Sequence, residues 1–287
     1  MGVRTLVKLA LPGIPVVSAL PGIRKSGGAF DGLALSRPPV VVERRDVEAY
    51  ADVCHFHASG SRDTVPLPWP HLLAFDLHMA MMSDRSFPVA AMGMVHLENS
   101  ITQHRPIGIG ETLEVGAAVG PGLAHPKGTK FELVSTVTSG GELVWEEVST
   151  YLRLGRGDTT APWGLQLPEV TERGTGWRLP ADLGRRYGAV SGDINPIHLY
   201  PLTAKALGFP RQIAHGMWTL ARSVAALENR LPDAVRVDVA FRKPAFLPST
   251  VTFGAHPVDG EHGTGWAFAL SKAGSDTVHL NGLTTAL

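Results

Sequence analysis

Between Asp193 and Gly216 the chain gathers side chains able to move a proton beside a carbonyl. Asp193 and His198 stand five residues apart, with Asn195 and Pro196 between them. Proline lacks an N–H and pushes its predecessor out of the α region, so this segment reads as a loop. On a loop, a carboxylate and an imidazole at this spacing can converge on one small volume, where one takes a proton and the other gives one. Further on, His215-Gly216 opens the apolar run MWTLARSVAALENRL, which predicts a long buried helix over Gly216 to Leu231. The N-terminus of that helix offers unpaired N–H groups and the positive end of a dipole, and glycine lets an oxygen approach closely. Acid, base and oxyanion donor together suit chemistry next to a carbonyl whose oxygen gains charge.

Plainer readings of the same residues compete. Asp-x-Asn-Pro is a frequent turn in which Asp and Asn bond their own backbone, and His198 following it tips the balance toward chemistry. A calcium loop opened by Asp193 would want glycine at its sixth position and glutamate at its twelfth, where His198 and Ala204 stand. Zinc would need further ligands at recognisable spacing, and His215 reads as a structural residue ahead of the helix. No metal and no cofactor is expected.

The wider pattern is Tyr187, Ser191, Gly192, Asp193, Asn195, Pro196, Ile197 and His198, then Gly208-Phe209, then Ile213 to Met217. This pattern resembles the signature of the MaoC-like dehydratases, the (R)-specific enoyl-CoA hydratase group of the hot dog fold. The resemblance implies reversible syn hydration of a trans-2-enoyl thioester to an (R)-3-hydroxyacyl thioester, in fatty acid metabolism. It implies that Asp193 and His198 activate water and exchange the C2 proton, either member being able to serve C2. Asn195 would help hold the water and the Gly216 N–H the thioester oxygen. Tyr187, Ser191, Phe209 and Ile213 would line the substrate.

The substrate would be an acyl-CoA or an acyl-carrier-protein thioester. Arg242 and Lys243, at a proline-bounded strand end, are candidates for the CoA phosphates, with Arg211 a weaker one. A 3-hydroxyacyl-carrier-protein dehydratase of fatty-acid or polyketide synthesis would use the same catalytic residues. A non-catalytic acyl-binding scaffold is the reading from a different class, and an intact acid and base in one chain argue against it.

Composition sets the frame. The 287 residues allow one large or two ordinary domains, and 26 basic against 26 acidic residues argue against nucleic acid or an anionic membrane as the main partner. A single cysteine, Cys54, excludes an internal disulfide framework and fits a reducing, cytoplasmic location. The apolar run Leu6 to Leu20 is interrupted by Lys8, Pro12, Gly13 and Pro15, so it predicts no membrane span and a poor signal peptide. Residues 1–40 read as a weakly patterned arm.

The elements that must position the site come in a repeated order. VVVERRDVEAYADVCHF predicts a short strand and a helix, and Trp69 to Met82 a second, apolar helix. Strands follow at Met92 to Ile101, after His104, at Lys130 to Thr138 and at Leu143 to Leu154. The same order recurs later: Arg105-Pro106 before Glu111-Thr112-Leu113 aligns with Lys243-Pro244 before Ser249-Thr250-Val251 at an offset of 138, and Tyr50 aligns with Tyr187 at 137.

The expected fold is therefore α+β, a double hot dog with two antiparallel sheets, each wrapped around a central helix. Its expected units are a degenerate hot dog over 41–158, a linker over 159–175 and a catalytic hot dog over 176–287. Phe56 falls at the place of Asp193 and Ser61 near that of His198, which predicts one active site per chain. A fused pair already imitates a hot dog dimer, so a monomer or a homodimer of fused chains is expected.

Overall fold

The computed structural model describes residues 24–26, 32–57, 63–89, 93–260 and 263–287. Two helix-and-sheet halves follow each other along the chain. In the first, β1 (Arg24–Ser26), β2 (Ala34–Ser36) and β3 (Val40–Val41) precede α1 (Arg44–Cys54) and α2 (His71–Met82). The strands β4 (Met94–Gln103), β5 (Thr112–His125), β6 (Gly128–Ser139) and β7 (Glu142–Leu154) complete it. The second half has β8 (Thr175–Leu179), α3 (Leu183–Ser191), two short helices α4 (Pro196–Leu199) and α5 (Pro201–Ala206), and then α6 (Gly216–Leu227). It closes with β9 (Val235–Phe241), β10 (Ser249–Gly260), β11 (Gly263–Lys272) and β12 (Val278–Ala286).

The helices divide by their surroundings. On α1, Val47, Tyr50, Ala51, Val53 and Cys54 are buried, the one-sided spacing of a helix lying on a surface. On α2 the sequence HLLAFDLHMAMM is apolar nearly all round, as befits a helix enclosed by its sheet. The α6 helix buries Met217, Trp218, Leu220, Ala221, Val224 and Leu227 in the same way. It ends at Leu227, earlier than the apolar run predicts, and a 3₁₀ turn over Glu228–Arg230 completes the run.

Two sheets were expected and one is found. The described strands form a single antiparallel sheet in the order β1-β2-β5-β6-β7-β4-β9-β12-β11-β10-β8, with β3 beside β5. The halves join where β4 pairs with β9. In that ladder Ser100 faces Asp238, and these two residues differ by the repeat offset of 138, so the axis relating the halves passes between them. The Ser100 hydroxyl donates to the Asp238 carboxylate there. Joining the halves by a ladder satisfies two strand edges that separate sheets would leave open.

The arm is also more ordered than its composition suggests, since Ala34–Ser36 pairs with β5 and Arg24–Ser26 pairs with β2. Residues 1–23 and 27–31 of the arm, and Ser61, lie outside the described residues. Between β7 and β8 the chain crosses the sheet face opposite α2, where the buried Glu98 carboxylate accepts the Leu165 N–H at 2.6 Å. A side chain at Gly164, with φ of +110°, would collide with that carboxylate.

Candidate active site

The connection from α3 to α6 builds the site. Asn195 caps α4, its side-chain oxygen accepting the Ile197 N–H at 3.3 Å, and Pro196 takes the first helical position, where a missing N–H costs nothing. His198 consequently lies within a helical turn. The loop expected across Pro196 is corrected in that respect: proline ends one helix and starts another.

Two glycines of α3 bring this connection close. A β-carbon at Gly184 would lie 1.9 Å from the His198 carbonyl oxygen, and one at Gly188 would lie 2.9 Å from that of Asp193. Glycine at these positions lets backbone pack on backbone.

His198 is buried and donates its Nδ1–H to the Ile213 carbonyl at 2.8 Å, leaving Nε2 as the proton acceptor. Burial lowers its pKa from the usual imidazole value, with partial opposition from Asp193 and the Ile213 carbonyl. The Asp193 carboxylate accepts the Asn195 N–H at 3.1 Å, and the Asp193 N–H donates to the Ser191 hydroxyl at 3.2 Å. Burial pushes the Asp193 carboxyl up, but His215, His198 and the Asn195 N–H outweigh it, so the group sits below its ordinary range. At neutral pH the centre holds a carboxylate beside a neutral imidazole.

His215, read from the sequence as a structural residue ahead of the helix, packs directly against this pair. Its Nε2 donates to the Asp193 carbonyl at 2.9 Å and stands 3.8 Å from the carboxylate. Its ring stacks on His198 with centroids 3.7 Å apart, and burial pushes its pKa down to about 3. Asp193, His198 and His215 each offer a ligand atom within 4.8 Å of the others, so the three could share a cation. Each imidazole already gives one nitrogen to a backbone carbonyl. The adjacency of His215 to Gly216 was the available signal in the sequence.

Gly216 opens α6, where the first N–H groups have no acceptor within the helix. A β-carbon there would stand 3.2–3.4 Å from the Phe241 ring. Phe241 lies 4.8 Å from the His96 ring, which stacks on Tyr151 at 4.5 Å. The wall beside Gly216 is thus Phe241 of the second half, backed by His96 and Tyr151 of the first, and spacing in the sequence gave no sign of that backing.

The remaining candidates take different places. Tyr187 is fully buried, its ring 4.9 Å from His215 and 6.3 Å from Tyr50, so it backs the centre. Ile213 contributes its carbonyl to His198. Phe209 is partly buried, its N–H bonded to the Ala204 carbonyl at the end of α5. Arg242 and Lys243 are exposed where β9 ends, and Arg211 lies over the Phe246 ring at 5.6 Å.

Two repeated helix-and-sheet halves in one chain, with the Asp193–His198 pair beside the start of α6, define a double hot dog architecture. Residues 169–266 match the family model of the MaoC like domain. Over 282 residues the chain is 34% identical to 3-hydroxyacyl-thioester dehydratase X of Mycobacterium tuberculosis, covering 97% of this chain and 96% of that one. The crystal structure of HtdX of that organism superposes with a TM-score of 0.75 at 34% identity, covering 88% of this chain and all of the other. A MaoC-like dehydratase from Phytophthora capsici shares the fold, with a TM-score of 0.69 at 19% identity over 90% of this chain and 96% of its own. The chain belongs to the MaoC-like dehydratase family.

Proposed function

We propose that this chain is a hydro-lyase that interconverts an (R)-3-hydroxyacyl thioester and a trans-2-enoyl thioester in fatty acid metabolism. The observation that carries the reading is the His198 Nδ1–H bond to Ile213, which leaves Nε2 with a free lone pair in a cluster where His198, Asp193 and His215 each offer an atom within 4.8 Å of the others. In the dehydration direction the pair begins in its basic form and removes the C2 proton. Charge then gathers on the thioester oxygen, where the Gly216 N–H receives it; such a donor is typically worth roughly 3–4 kcal/mol of barrier. The C3–O bond breaks, and the leaving hydroxide takes the proton that C2 lost. Water forms and the pair returns to its starting state.

Other parts of the reading rest on position. Residues 41–158 form a degenerate unit, 176–287 the catalytic unit, and 159–175 the linker. The exposed Arg242 and Lys243 bind the CoA phosphates, and charge reversal at both weakens CoA thioesters more than pantetheine thioesters. The β4–β9 junction replaces the pairing of separate hot dog subunits, which supports a monomer or a dimer of fused chains. The buried, unpaired Cys54 fits a cytoplasmic location, and no described helix is long and apolar enough to cross a membrane.

The test is turnover of a chain-length series of trans-2-enoyl-CoAs, followed by loss of enoyl-thioester absorbance and by the chirality of the product. (R)-3-hydroxyacyl-CoA is expected; no turnover on CoA or carrier-protein thioesters would refute the reading. The pH profile carries a sign. Because the pKa of His198 lies below its ordinary 6.5 and that of Asp193 is lowered too, kcat/KM stays level through neutral pH. It falls only as pH drops below 6.5, when the base is protonated.

A further inference from the structure

Behind the wall beside Gly216, the first half carries a buried polar seam that the hydration chemistry does not use. Glu147, fully buried on β7, accepts from His71 Nδ1 at 2.8 Å and from Asn99 Nδ2 at 2.6 Å. Asn99 Nδ2 also donates to the Ser149 hydroxyl at 3.0 Å. His78 Nε2 and the Ser135 hydroxyl are hydrogen-bonded at 2.7 Å, and His78 meets His71 edge-on with ring centroids 5.8 Å apart. The seam is continuous with the catalytic centre through His96, whose ring lies against Tyr151 and Phe241. Asp193 feels His71 electrostatically, and His96 feels both Glu147 and Asp193.

Two observations set this seam apart from ordinary core. Three buried atoms in it have no hydrogen-bond partner: Asn99 Oδ1, His78 Nδ1 and His96 Nε2. Native interiors pair nearly all such atoms, so three along one seam call for an occupant.

The second observation comes from the other half, where the fold manages without the carboxylate and amide of this floor. Ile101 pairs with Glu147, and its repeat mate Val239 pairs with Gly282. Ser135 faces Glu147 on the next strand, and Phe268 faces Gly282. The places of Glu147, Ser135 and Asn99 are thus held in the second half by Gly282, Phe268 and Val237, with the Phe268 ring filling the space over Gly282. A buried ion-paired network is no more stabilising than well-packed apolar residues, so the fold gives no reason to keep it.

We propose that the seam recognises an oxygen substituent on the acyl chain, so that the preferred substrate is a thioester whose chain bears a hydroxyl or keto group beyond the reacting carbons. The unpaired atoms fit that chemistry. A hydroxyl can donate to Asn99 Oδ1 and accept from an imidazole N–H, and a keto oxygen can accept from His96 or His78. Burial holds His96 and His78 neutral, with values pushed down to about 3 and about 4, which favours a neutral group over an anionic one. His96 packs on Phe241, which borders Gly216, so on this proposal it is the first of the three that a chain leaving the catalytic centre meets.

The inference rests on the dehydratase reading, and its test separates the two. Pairs of trans-2-enoyl-CoAs of equal length, one alkyl and one carrying a hydroxyl or keto group at successive positions from C5 outward, are compared by kcat/KM in the presence of EDTA. At one position the oxygenated ester is expected to exceed its alkyl partner by tenfold or more. His96→Phe and Asn99→Leu are expected to bring that ratio close to one, with thermal melting checking their fold and His96→Leu and Asn99→Val standing in for either variant that fails to fold. Alkyl esters that match or exceed their partners at every position would overturn the inference while leaving the dehydratase reading intact. No turnover of either series, as CoA or as carrier-protein thioesters, would overturn both. A stoichiometric divalent ion in the purified protein, lost together with the preference on chelation, would overturn it in favour of a cation site formed by His71, His78 and Glu147.

Discussion

The second half leads from α3 into α6 through Asp193 on a turn, Asn195 as the cap of α4 and His198 within α4; the first half leads from α1 into α2 without them. At the place of Asp193 stands Phe56, buried and stacked on Tyr50 with ring centroids 6.2 Å apart. Phe241, which closes the wall beside Gly216, has Gln103 as its repeat mate, and Gln103 donates to the Asp233 carbonyl at 2.8 Å. Beneath the central helices the contrast reverses, with polar residues under α2 and an aromatic ring under α6. The hot dog frame thus tolerates either choice at both places. On the proposed reading, chemistry resides in a replaceable connection, and the strands that hold it are indifferent to whether it is there.

The sharpest way to break this comparison is to remove the pair itself. Asp193→Asn and His198→Gln are expected to lower kcat/KM by three orders of magnitude or more, roughly 4 kcal/mol of barrier, with melting temperature nearly unchanged. Steady-state kinetics and thermal melts on the same preparations decide it. Activity near that of the parent chain in either variant would mean that the first half, or another group, does the chemistry.

The floor offers a comparable effect on stability. Phe268 is fully buried against Gly282, and Phe268→Ala would leave a hole that the backbone cannot fill, costing about 3–4 kcal/mol. Denaturant unfolding measures this. A loss below about 1 kcal/mol would show that the apolar floor of the second half is as dispensable as the comparison makes the polar one.

Much of this contrast was legible beforehand, for reasons that differ residue by residue. The offset of 138 between Arg105-Pro106 and Lys243-Pro244 is visible because turns before strands keep their residue types, and it led to the correct fold class. The alternation along the strands and the apolar runs of α2 and α6 are periodic signals that a single sequence carries. Contacts across the β4–β9 junction are not periodic in sequence. His96 and Tyr151 reach the site from strands far from Asp193 in the chain, and Glu147 reads as an ordinary surface residue of an alternating strand until the register turns it inward. The sequence conceals the helical turn at His198 because Pro196 reads as a breaker, although proline also suits the first position of a new helix.

A smaller effect tests how closely the catalytic connection must sit on α3. Gly184→Ala would press a methyl group into the His198 carbonyl, so the backbone at His198 must shift. A stability loss of about 1–3 kcal/mol is expected, with kcat falling more than KM rises, because the change moves the base and leaves the substrate-binding walls in place. The same substitution on α1, for which the first half has no pressed connection, has no counterpart. A Gly184→Ala enzyme with unchanged kcat would mean that the connection holds His198 without help from α3.

The smallest effect concerns the seam that lets the halves differ yet act as one body. Trp218 on α6 donates its indole N–H to the Val53 carbonyl at 2.9 Å, pairing a carbonyl near the end of α1 that the helix itself leaves without a partner. Trp218→Phe keeps the ring packing and removes the bond, at an expected cost of about 1–2 kcal/mol for a buried acceptor left unsatisfied. If the halves unfold as one body, a single transition moves to lower denaturant concentration. If Trp218→Phe instead splits unfolding into two transitions, the halves are separate cooperative units, and the β4–β9 ladder alone does not hold them together.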